Sequence, residues 1–360
     1  MKLNMAELTK KAFSAHKKGN YEKAERLYKK ILNVNSKDIN IYNLLAVAQK
    51  NLGKLNEAEK NFRKILEIKP SSPDVYYNLG NMLRKKRRYD EAIENYKYAI
   101  KIKSNFVGAY YNLASAYKEI EAYEEAIKNY KKVLELDPNY KELNHIIASL
   151  EGDNTSPPSR DYVEKLFDLY SPEFDTSLVE NLKYKIPQLI SNLIVNKDSQ
   201  NSLGSILDLG CGTGLVGSEL KKYCSYIIGI DLSKSMLEIA KKKKIYDKLI
   251  YTDIADYLNQ EYLKHNYFIA ADVFIYIGNL DNIFELIKSK NEIKGKLIFS
   301  TEINNGDSFA LEKHGRYSHS EKYIKALCNK YDYKISYFKR IPLRKEKEIF
   351  LPGGLYILDF

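Results

Sequence analysis

The stretch ILDLGCGTGLVG, residues 206–217, decides the fold of the second half of the chain. It is an apolar run that leads into closely spaced glycines, which is typical of a strand that turns into a helix beneath a nucleotide. Gly210, Gly212 and Gly214 fit the spacing G-x-G-x-G, whereas Gly212, Gly214 and Gly217 fit G-x-G-x-x-G. The glycines alone leave two ligands open, a nucleotide that delivers a hydride and one that delivers a methyl group.

The segments after Ser205 alternate between apolar runs and amphipathic stretches: SILDLG, GLVGSELKKYC, YIIGID, SKSMLEIAKKKK and KLIYTD. This alternation predicts βαβ units, with a mostly parallel sheet and helices on both faces. Ligands of such sheets lie at the carboxyl ends of the strands. We therefore expect the ligand at the glycine-rich loop, where positive φ and a helix N-terminus allow close approach.

Four carboxylates follow the predicted strands. Asp231 ends the second one, where a carboxylate suits the ribose of either nucleotide, whereas Asp208 before the first glycine would repel a pyrophosphate. Asp253 ends the third predicted strand and Asp272 the fourth. Each alone could cap a helix or a turn. Together they suit a ligand that bears a sulfonium and an ammonium.

This motif and its acids resemble the first motif of class I S-adenosylmethionine-dependent methyltransferases. The resemblance implies S-adenosylmethionine as cofactor and an α/β Rossmann-like domain whose mostly parallel sheet ends in an antiparallel hairpin. It also implies that Asp208 and Asp272 lie at the methionine end, Asp231 at the ribose and Asp253 at the adenine amino group. The implied cofactor-binding set is Asp208, Gly210, Cys211, Gly212, Gly214, Asp231, Leu232, Asp253, Ile254 and Asp272.

The first half of the chain is periodic. Small and aromatic residues recur with one constant step, at Ala24, Ala58, Ala92 and Ala126 and at Tyr28, Phe62, Tyr96 and Tyr130. The pattern resembles the tetratricopeptide repeat, a helix-turn-helix unit. It predicts an α/α solenoid of four repeats at about 5–38, 39–72, 73–106 and 107–140, then a closing helix at 141–150, a linker at 151–160 and the methyltransferase domain at 161–360.

Two features of the repeats suggest a protein partner. Asn78 and Asn112 share one repeat position, where some members of this repeat family bind peptide backbone, although the preceding repeat has Leu44 there. Residues 1–150, which include the run RKKRR at 84–88, carry 29 Lys and Arg against 18 Asp and Glu, the whole net charge of +11. We expect the concave surface to bind an extended acidic protein segment, in preference to nucleic acid. The alternative is a lysine-rich surface that serves only solubility.

The segment YVEKLFDLYSPEFDTSL, residues 162–178, resembles the N-terminal lid of bacterial methyltransferases that carry tetratricopeptide repeats in the same chain. The acceptor is left open. Tyr170, Phe174, Tyr276 and Arg316 are candidates for lining the acceptor pocket. His319 is the candidate catalytic base, because an oxygen or nitrogen acceptor must lose a proton; the alternative is that it only hydrogen-bonds the lid.

Composition limits the remaining classes. No window approaches 18 apolar residues and the first residues do not resemble a signal peptide, so we expect a cytoplasmic protein without membrane insertion. Cys211, Cys224 and Cys328 are odd in number and lack C-x-x-C spacing, which predicts reduced thiols and no metal site.

Three functions follow, in decreasing order of support. The first is an active methyltransferase whose repeats recruit a protein that is the substrate or carries it. The second is a repeat scaffold whose methyltransferase-like domain binds the cofactor without catalysis, and the third is an NAD-dependent oxidoreductase. The intact Asp208, glycine loop and Asp231 favour the first.

Overall fold

The computed structural model describes residues 5–154, 158–171, 174–195, 202–260, 262–346 and 349–360. The chain divides into two compact units, Met1–Leu143 and Asn144–Phe360. Within the described ranges, no helix is both long and apolar enough to cross a membrane.

The first unit consists of four helix pairs. Their bounds are α1 Met5–Lys17, α2 Tyr21–Val34, α3 Ile39–Asn51, α4 Leu55–Ile68, α5 Pro73–Lys85, α6 Tyr89–Ile102, α7 Val107–Glu119 and α8 Tyr123–Leu136. The first helix of each pair starts at the residue where the sequence period places a repeat. The α-helical repeat fold predicted from the sequence is therefore confirmed.

The periodic small and aromatic residues form the core of this unit. Ala24, Ala58, Ala92 and Ala126 are fully buried, and the four aromatic side chains of the same period are at most 3% exposed. Two helices of one repeat meet closely, since a Cβ atom at Gly80 would lie 2.6 Å from the ring of Tyr96. Each pair thus buries its apolar face against a neighbour.

The second unit is built on one sheet. Its strands are β1 Ser205–Leu209, β2 Tyr226–Asp231, β3 Lys248–Tyr251, β4 Tyr267–Ala270, β5 Lys296–Glu302, β6 Phe309–Leu311, β7 Tyr317–His319, β8 Lys334–Glu346 and β9 Ile349–Asp359. Strands β3, β2, β1, β4 and β5 are adjacent in that order and parallel. Strand β9 pairs antiparallel with both β5 and β8, which confirms the predicted closing hairpin.

Helices cover both faces of the sheet. The helices that follow the repeats are α9 Leu143–Glu151, α10 Arg160–Tyr170, α11 Ile186–Ile194, α12 Leu215–Leu220, α13 Lys234–Lys243, α14 Ile254–Leu258, α15 Asp281–Lys290 and α16 Glu321–Tyr331. Because side chains alternate along a strand, Ile206 belongs to one apolar core with Ile190 of α11. Leu207 belongs to the opposite core with Phe284 of α15.

Helix α9 lies where the sequence predicts the closing helix of the repeats. The boundary between the units falls at its first residue, so most of it belongs to the second unit. His145 Nε2 lies 2.9 Å from the carbonyl oxygen of Gly315, and Ala148 packs with Tyr317. Asn154 just beyond it accepts a hydrogen bond of 2.7 Å from the backbone of Leu311. These contacts join α9 to the second unit.

Candidate active site

The glycine-rich loop lies between β1 and α12, at the carboxyl edge of the sheet. Gly210, Gly212 and Gly214 have φ of +66°, +52° and +90°, which L side chains rarely adopt. At Gly212 a Cβ atom would meet nothing within 4 Å, whereas at Gly210 it would lie 2.8 Å from Val273. The Cα atom of Gly212 therefore borders open space, which is where a ligand can approach.

The ring of Tyr246 explains why three further positions near the loop are glycines. Cβ atoms at Gly214, Gly217 and Gly229 would lie 3.0, 2.6 and 2.9 Å from its ring. The ring fills the space behind the loop, and these three positions are small to admit it. Gly217, which completes the dinucleotide spacing in the sequence, thus has a packing role inside this domain.

The carboxylate of Asp208 lies beneath the loop and is almost fully buried. Burial raises its pKa to about 7, although the hydroxyl of Tyr246, which donates to it at 2.6 Å, favours the charged form. The same ring that shapes the loop therefore also holds this acid. Sequence reasoning missed Tyr246, because it lies far from Asp208 along the chain and outside any motif.

Asp231 at the end of β2 joins two loops. One carboxylate oxygen accepts from the backbone N–H of Gly212 and the other from that of Ser233, both at 2.8 Å. Burial raises the pKa of Asp231 to about 6, and these backbone hydrogen bonds oppose the rise. The acid thereby fixes the glycine loop against the start of α13.

Asp253 caps α14. Its carboxylate accepts from the backbone of Ala255 at 2.8 Å, and Arg160 Nη2 lies 3.3 Å away. Leu232 and Ile254 are half-buried beside these acids in sequence, and Cys211 is buried, which raises the pKa of its thiol. The helix-capping alternative for Asp253 is thus the geometry observed.

Asp272, predicted to bind the cofactor, has two protein partners. The resemblance predicts that it faces the amino-acid end of the cofactor, but one of its oxygens pairs with Arg344 Nη1 and the other accepts from Ser300 Oγ at 3.2 Å. Its φ of +59° is left-handed, which turns the chain sharply after β4. The Asp272 carboxylate is therefore committed to protein groups.

Arg344 opens a buried ion-pair network. Its Nη2 lies 2.5 Å from Glu302 Oε1. Glu302 also pairs with Arg316, whose Nε lies 2.9 Å away, and with His314, whose Nε2 lies 3.1 Å away. Burial raises the pKa of Glu302, but the hydrogen bond from His314 and the two guanidinium charges outweigh it and lower the pKa to about 2. Arg316, predicted to line the acceptor pocket, also pairs with Glu346 and is a network member.

The candidate base His319 has a fully buried side chain, and its Nδ1 lies 2.6 Å from Thr301 Oγ1. Its Nε2 lies 3.0 and 2.9 Å from the carbonyl oxygens of Ile277 and Gly278. Burial lowers its pKa to about 4. Both ring nitrogens are occupied by the protein, so the imidazole fastens β7 to β5 and to the loop after β4.

The predicted lid segment, of which residues 172 and 173 lie outside the described residues, contacts the loops at the carboxyl edge. Asp168 of α10 accepts from Ser233 Oγ at 2.5 Å and from the backbone of Ser235 at 3.2 Å. Asp175 accepts from the hydroxyl of Thr213 in the glycine loop and pairs with Lys243 at 2.8 Å. These ties connect the segment to the loops after β1 and β2.

Further ties reach β3 and β4. Arg160 pairs with Asp256 at 2.6 Å, and Tyr251 donates to Glu164 at 2.9 Å. Phe167 contacts Tyr276 with ring centroids 5.1 Å apart, and Phe174 is 6.2 Å from Phe167. The structure brings Phe174 and Tyr276 together through Phe167, whereas Tyr170 is 58% exposed and stands outside this cluster.

The two asparagines of the repeats differ from the prediction. Asn112 is 9% exposed, and its amide nitrogen donates to Asn81 Oδ1 at 2.7 Å and to Tyr77 Oη at 3.1 Å. Both of its N–H donors are used inside the unit. Asn78 is half-buried on the same helix as Asn81. The paired amides expected on the surface are therefore not presented as a pair.

Comparison with protein families agrees with both units. Models described as tetratricopeptide repeats match residues 39–72, 61–94, 80–121 and 107–140. A model described as a methyltransferase domain matches residues 200–344.

Single relatives match parts of the chain. Malonyl-[acyl-carrier protein] O-methyltransferase of Priestia megaterium is 29% identical over 48% of this chain, and the match spans 61% of that protein. A crystal structure of MamA is 24% identical over 39% of this chain and 81% of its own, with a TM-score of 0.38. The crystal structure of magnesium protoporphyrin IX methyltransferase from Synechocystis PCC 6803, with bound SAH, is 16% identical. The match covers 56% of this chain and 96% of that one, with a TM-score of 0.43.

The chain therefore carries tetratricopeptide repeats in its first half and, in its second half, a methyltransferase domain, whose family uses S-adenosylmethionine as cofactor.

Proposed function

We propose that the second unit transfers a methyl group from S-adenosylmethionine to an acceptor, and that the repeats recruit a protein that is the acceptor or carries it. The observation that carries the proposal is the open space beside the Cα atom of Gly212, with the carboxylates of Asp208 and Asp231 close to the same loop. An open cradle beside two acids suits a nucleoside with a cationic side chain.

Each residue has a distinct part in this proposal. Asp231 accepts from the ribose hydroxyls with the lone pairs that its two backbone hydrogen bonds leave. Asp208 provides a negative potential for the cationic methionine end, and Asp253 with Ile254 and Leu232 surrounds the adenine. Asp272 acts differently from the other three, through its ion pair with Arg344, which fixes the loop that carries Tyr276.

The bound cofactor supplies a methyl group on a sulfonium, which is already activated for displacement. The protein's task is then to align the acceptor with that methyl group and to exclude water. The ties of α10 and Asp175 to the loops after the first three strands hold a cover over this edge. Phe167, Phe174 and Tyr276 form an apolar wall at the place where an acceptor would enter.

Calorimetric titration of the full chain tests cofactor choice. We expect heat with S-adenosylmethionine, with dissociation in the micromolar range, about −8 kcal/mol, and none with NAD. Asp231→Ala should weaken binding strongly, because the ribose hydroxyls would lose a charged acceptor. Heat with NAD alone would show that the oxidoreductase alternative is correct.

Transfer of labelled methyl from the cofactor distinguishes the enzyme from a scaffold. The acceptor panel should contain a malonyl-loaded acyl carrier protein, the acceptor that the name of the Priestia relative gives, and a lysate of the source cell. We expect label on a protein or on its prosthetic group, and no label with Asp231→Ala. Cofactor binding without transfer to any of these acceptors would favour the scaffold.

A further inference from the structure

A cavity of about 380 Å³ lies in the first unit, where the first helices of repeats two, three and four end. Its lining residues are Lys50, Asn51, Asn81, Arg84, Lys85, Tyr89 and Glu119. Three cations thus face one carboxylate. Lys50 and Arg84 occupy the same position in consecutive repeats, so the period itself aligns their charges along the unit.

The basic run at 84–88 is divided by the fold. Lys86 and Arg88 turn back to Glu59, both at 2.8 Å, and Arg88 also holds Glu91. Burial raises the pKa of Glu59, but the hydrogen bonds from Lys86 and Arg63 outweigh it and lower the pKa to about 2. Those two charges are neutralised within the protein, whereas Arg84 and Lys85 line the cavity.

Asn81 supplies the polar floor of the cavity. Its Oδ1 accepts from Tyr96 Oη at 2.8 Å and from Asn112 Nδ2 at 2.7 Å. Because Asn81 Oδ1 accepts these two hydrogen bonds, the Asn81 amide nitrogen, with its two N–H donors, is the group that can bind a ligand in the cavity. Asn112 therefore acts by orienting Asn81, which explains why the Asn112 amide lies inside the unit and not at the surface.

We propose that this cavity binds a side-chain carboxylate of an extended acidic segment of a partner protein. Arg84 and Lys50 supply charge, and Asn81 supplies neutral donors that match a carboxylate's two oxygens. Tyr89, whose hydroxyl lies 3.5 Å from Glu119, closes one wall. The inference rests on the proposed recruitment of a protein by the repeats. It adds that the recruited protein has an acidic segment and that this segment binds at the cavity.

A fluorescein-labelled polyglutamate peptide is the probe, titrated against the full chain by anisotropy. We expect Arg84→Gln and Lys50→Gln each to weaken binding about tenfold, the loss of one charge-assisted hydrogen bond. Asn112→Leu, which should release Asn81, is expected to weaken binding about threefold. Lys60→Gln on α4 removes the same charge from an exposed site outside the cavity and should leave binding within about twofold.

Equal weakening by Arg84→Gln and Lys60→Gln would overturn the cavity and leave only general charge attraction. Failure of the peptide to bind at low salt would overturn it as well, as would tighter binding of labelled oligouridylate through the same residues. Circular dichroism of each variant excludes loss of fold. Cofactor titration is the separate readout for the methyltransferase unit, so failure of this site and failure of the proposed methyl transfer give different results.

Discussion

The two units of this chain bury charge to different extents. In the repeats the core is apolar and aromatic, and most ion pairs lie at the surface, as between Lys11 and Glu7, although Glu25 is buried and pairs with Lys29 and Lys54. In the methyltransferase unit Asp208, Glu302 and Arg344 are at most 5% exposed. Burying a charge costs free energy unless a partner compensates it. Among the described residues, most of the buried charge lies in the unit that carries the glycine-rich loop, which points to function at the buried charges.

Deletion of a buried charge should have the largest effect. Arg344→Met leaves Asp272 and Glu302 buried without their shared partner, and we expect the second unit to lose about 3 to 5 kcal/mol of unfolding free energy. The matched change in the repeats, Arg63→Gln, removes an exposed guanidinium and should cost at most about 1 kcal/mol. Denaturant series read by hydrogen exchange and mass spectrometry report each unit separately.

The network explanation has its own control. Combining Arg344→Met with Asp272→Asn and Glu302→Gln removes the uncompensated charges, and we expect part of the lost stability to return. If the triple variant is no more stable than Arg344→Met alone, the loss of stability comes from packing and not from the uncompensated charges of Asp272 and Glu302.

The contribution of Asp208 to stability should change with pH in the opposite direction to that of Glu25 in the repeats. Burial raises its pKa to about 7 in the folded chain, so the folded state holds the proton more tightly than the unfolded state. The contribution of Asp208 to the stability of the second unit should therefore fall as pH rises from about 4 to about 7. His319, whose pKa burial lowers to about 4, changes stability in the opposite direction, and its contribution is the same in wild type and in an Asp208 variant. Asp208→Asn carries no charge and can still accept from Tyr246, so we expect it to be about 2 to 4 kcal/mol more stable than wild type at pH 8.

The same variant should bind S-adenosylmethionine more weakly at pH 8, because the acid has been removed from the cofactor edge. In the repeats Glu25 has the opposite sign: burial raises its pKa, but hydrogen bonds from Lys29, Lys54 and Gln49 lower it to about 2. That contribution is lost as pH falls from about 4 to about 2. Urea melts of wild type and Asp208→Asn at pH 4 and pH 8 check the sign, and equal stabilities at pH 8 would contradict it.

Overpacking tests the repeats where they are densest. Ala92 is fully buried at the position that every repeat keeps small. Ala92→Leu should cost about 1 to 3 kcal/mol in the first unit and nothing in the second. Glu94→Leu inserts the same side chain nearby on α6 at an exposed position and should stay within about 0.5 kcal/mol. Equal costs for the two variants would show that the interhelical contact at Ala92 is loose.

The predictability of the two halves follows from the range of their contacts. In the repeats one sequence period indicated the helix starts and the buried alanines, because each repeat contacts only its neighbours. The cofactor edge was located from a local motif, since strand ends and glycine turns are encoded over a few residues. The fold class of both halves was therefore available from the sequence.

Side-chain partners were not available in the same way. Asp272 pairs with Arg344 and Asp208 with Tyr246 over long stretches of chain, and no local pattern marks either pair. The sequence suggested His319 as the base, but the packing of β7 places both of its ring nitrogens against other protein groups. The orientation of Asn81 depends on Asn112 in the next repeat. A residue's identity at a strand end predicts its place, and long-range packing decides its partner.

The smallest expected effect concerns the boundary between the units. Asn154 donates to the carbonyl oxygen of Phe309 at 3.2 Å and accepts from the N–H of Leu311 at 2.7 Å, so it closes the edge of the β6–β7 hairpin. Asn154→Ala should destabilise the second unit by about 1 kcal/mol, the net value of such bonds at an exposed site. Asn129→Ala removes one side-chain hydrogen bond to Glu125 inside α8 and is the matched change in the repeats.

Hydrogen exchange and two fragments locate that boundary. If residues 144–154 belong to the methyltransferase unit, exchange should quicken in β6 and β7 for Asn154→Ala and in α8 for Asn129→Ala. A fragment of residues 144–360 should then be more stable than one of residues 160–360, because only the longer one keeps the contacts of His145 and Asn154, while both retain the cofactor-binding loop. Equal stability of the two fragments would return α9 to the repeats as their closing helix.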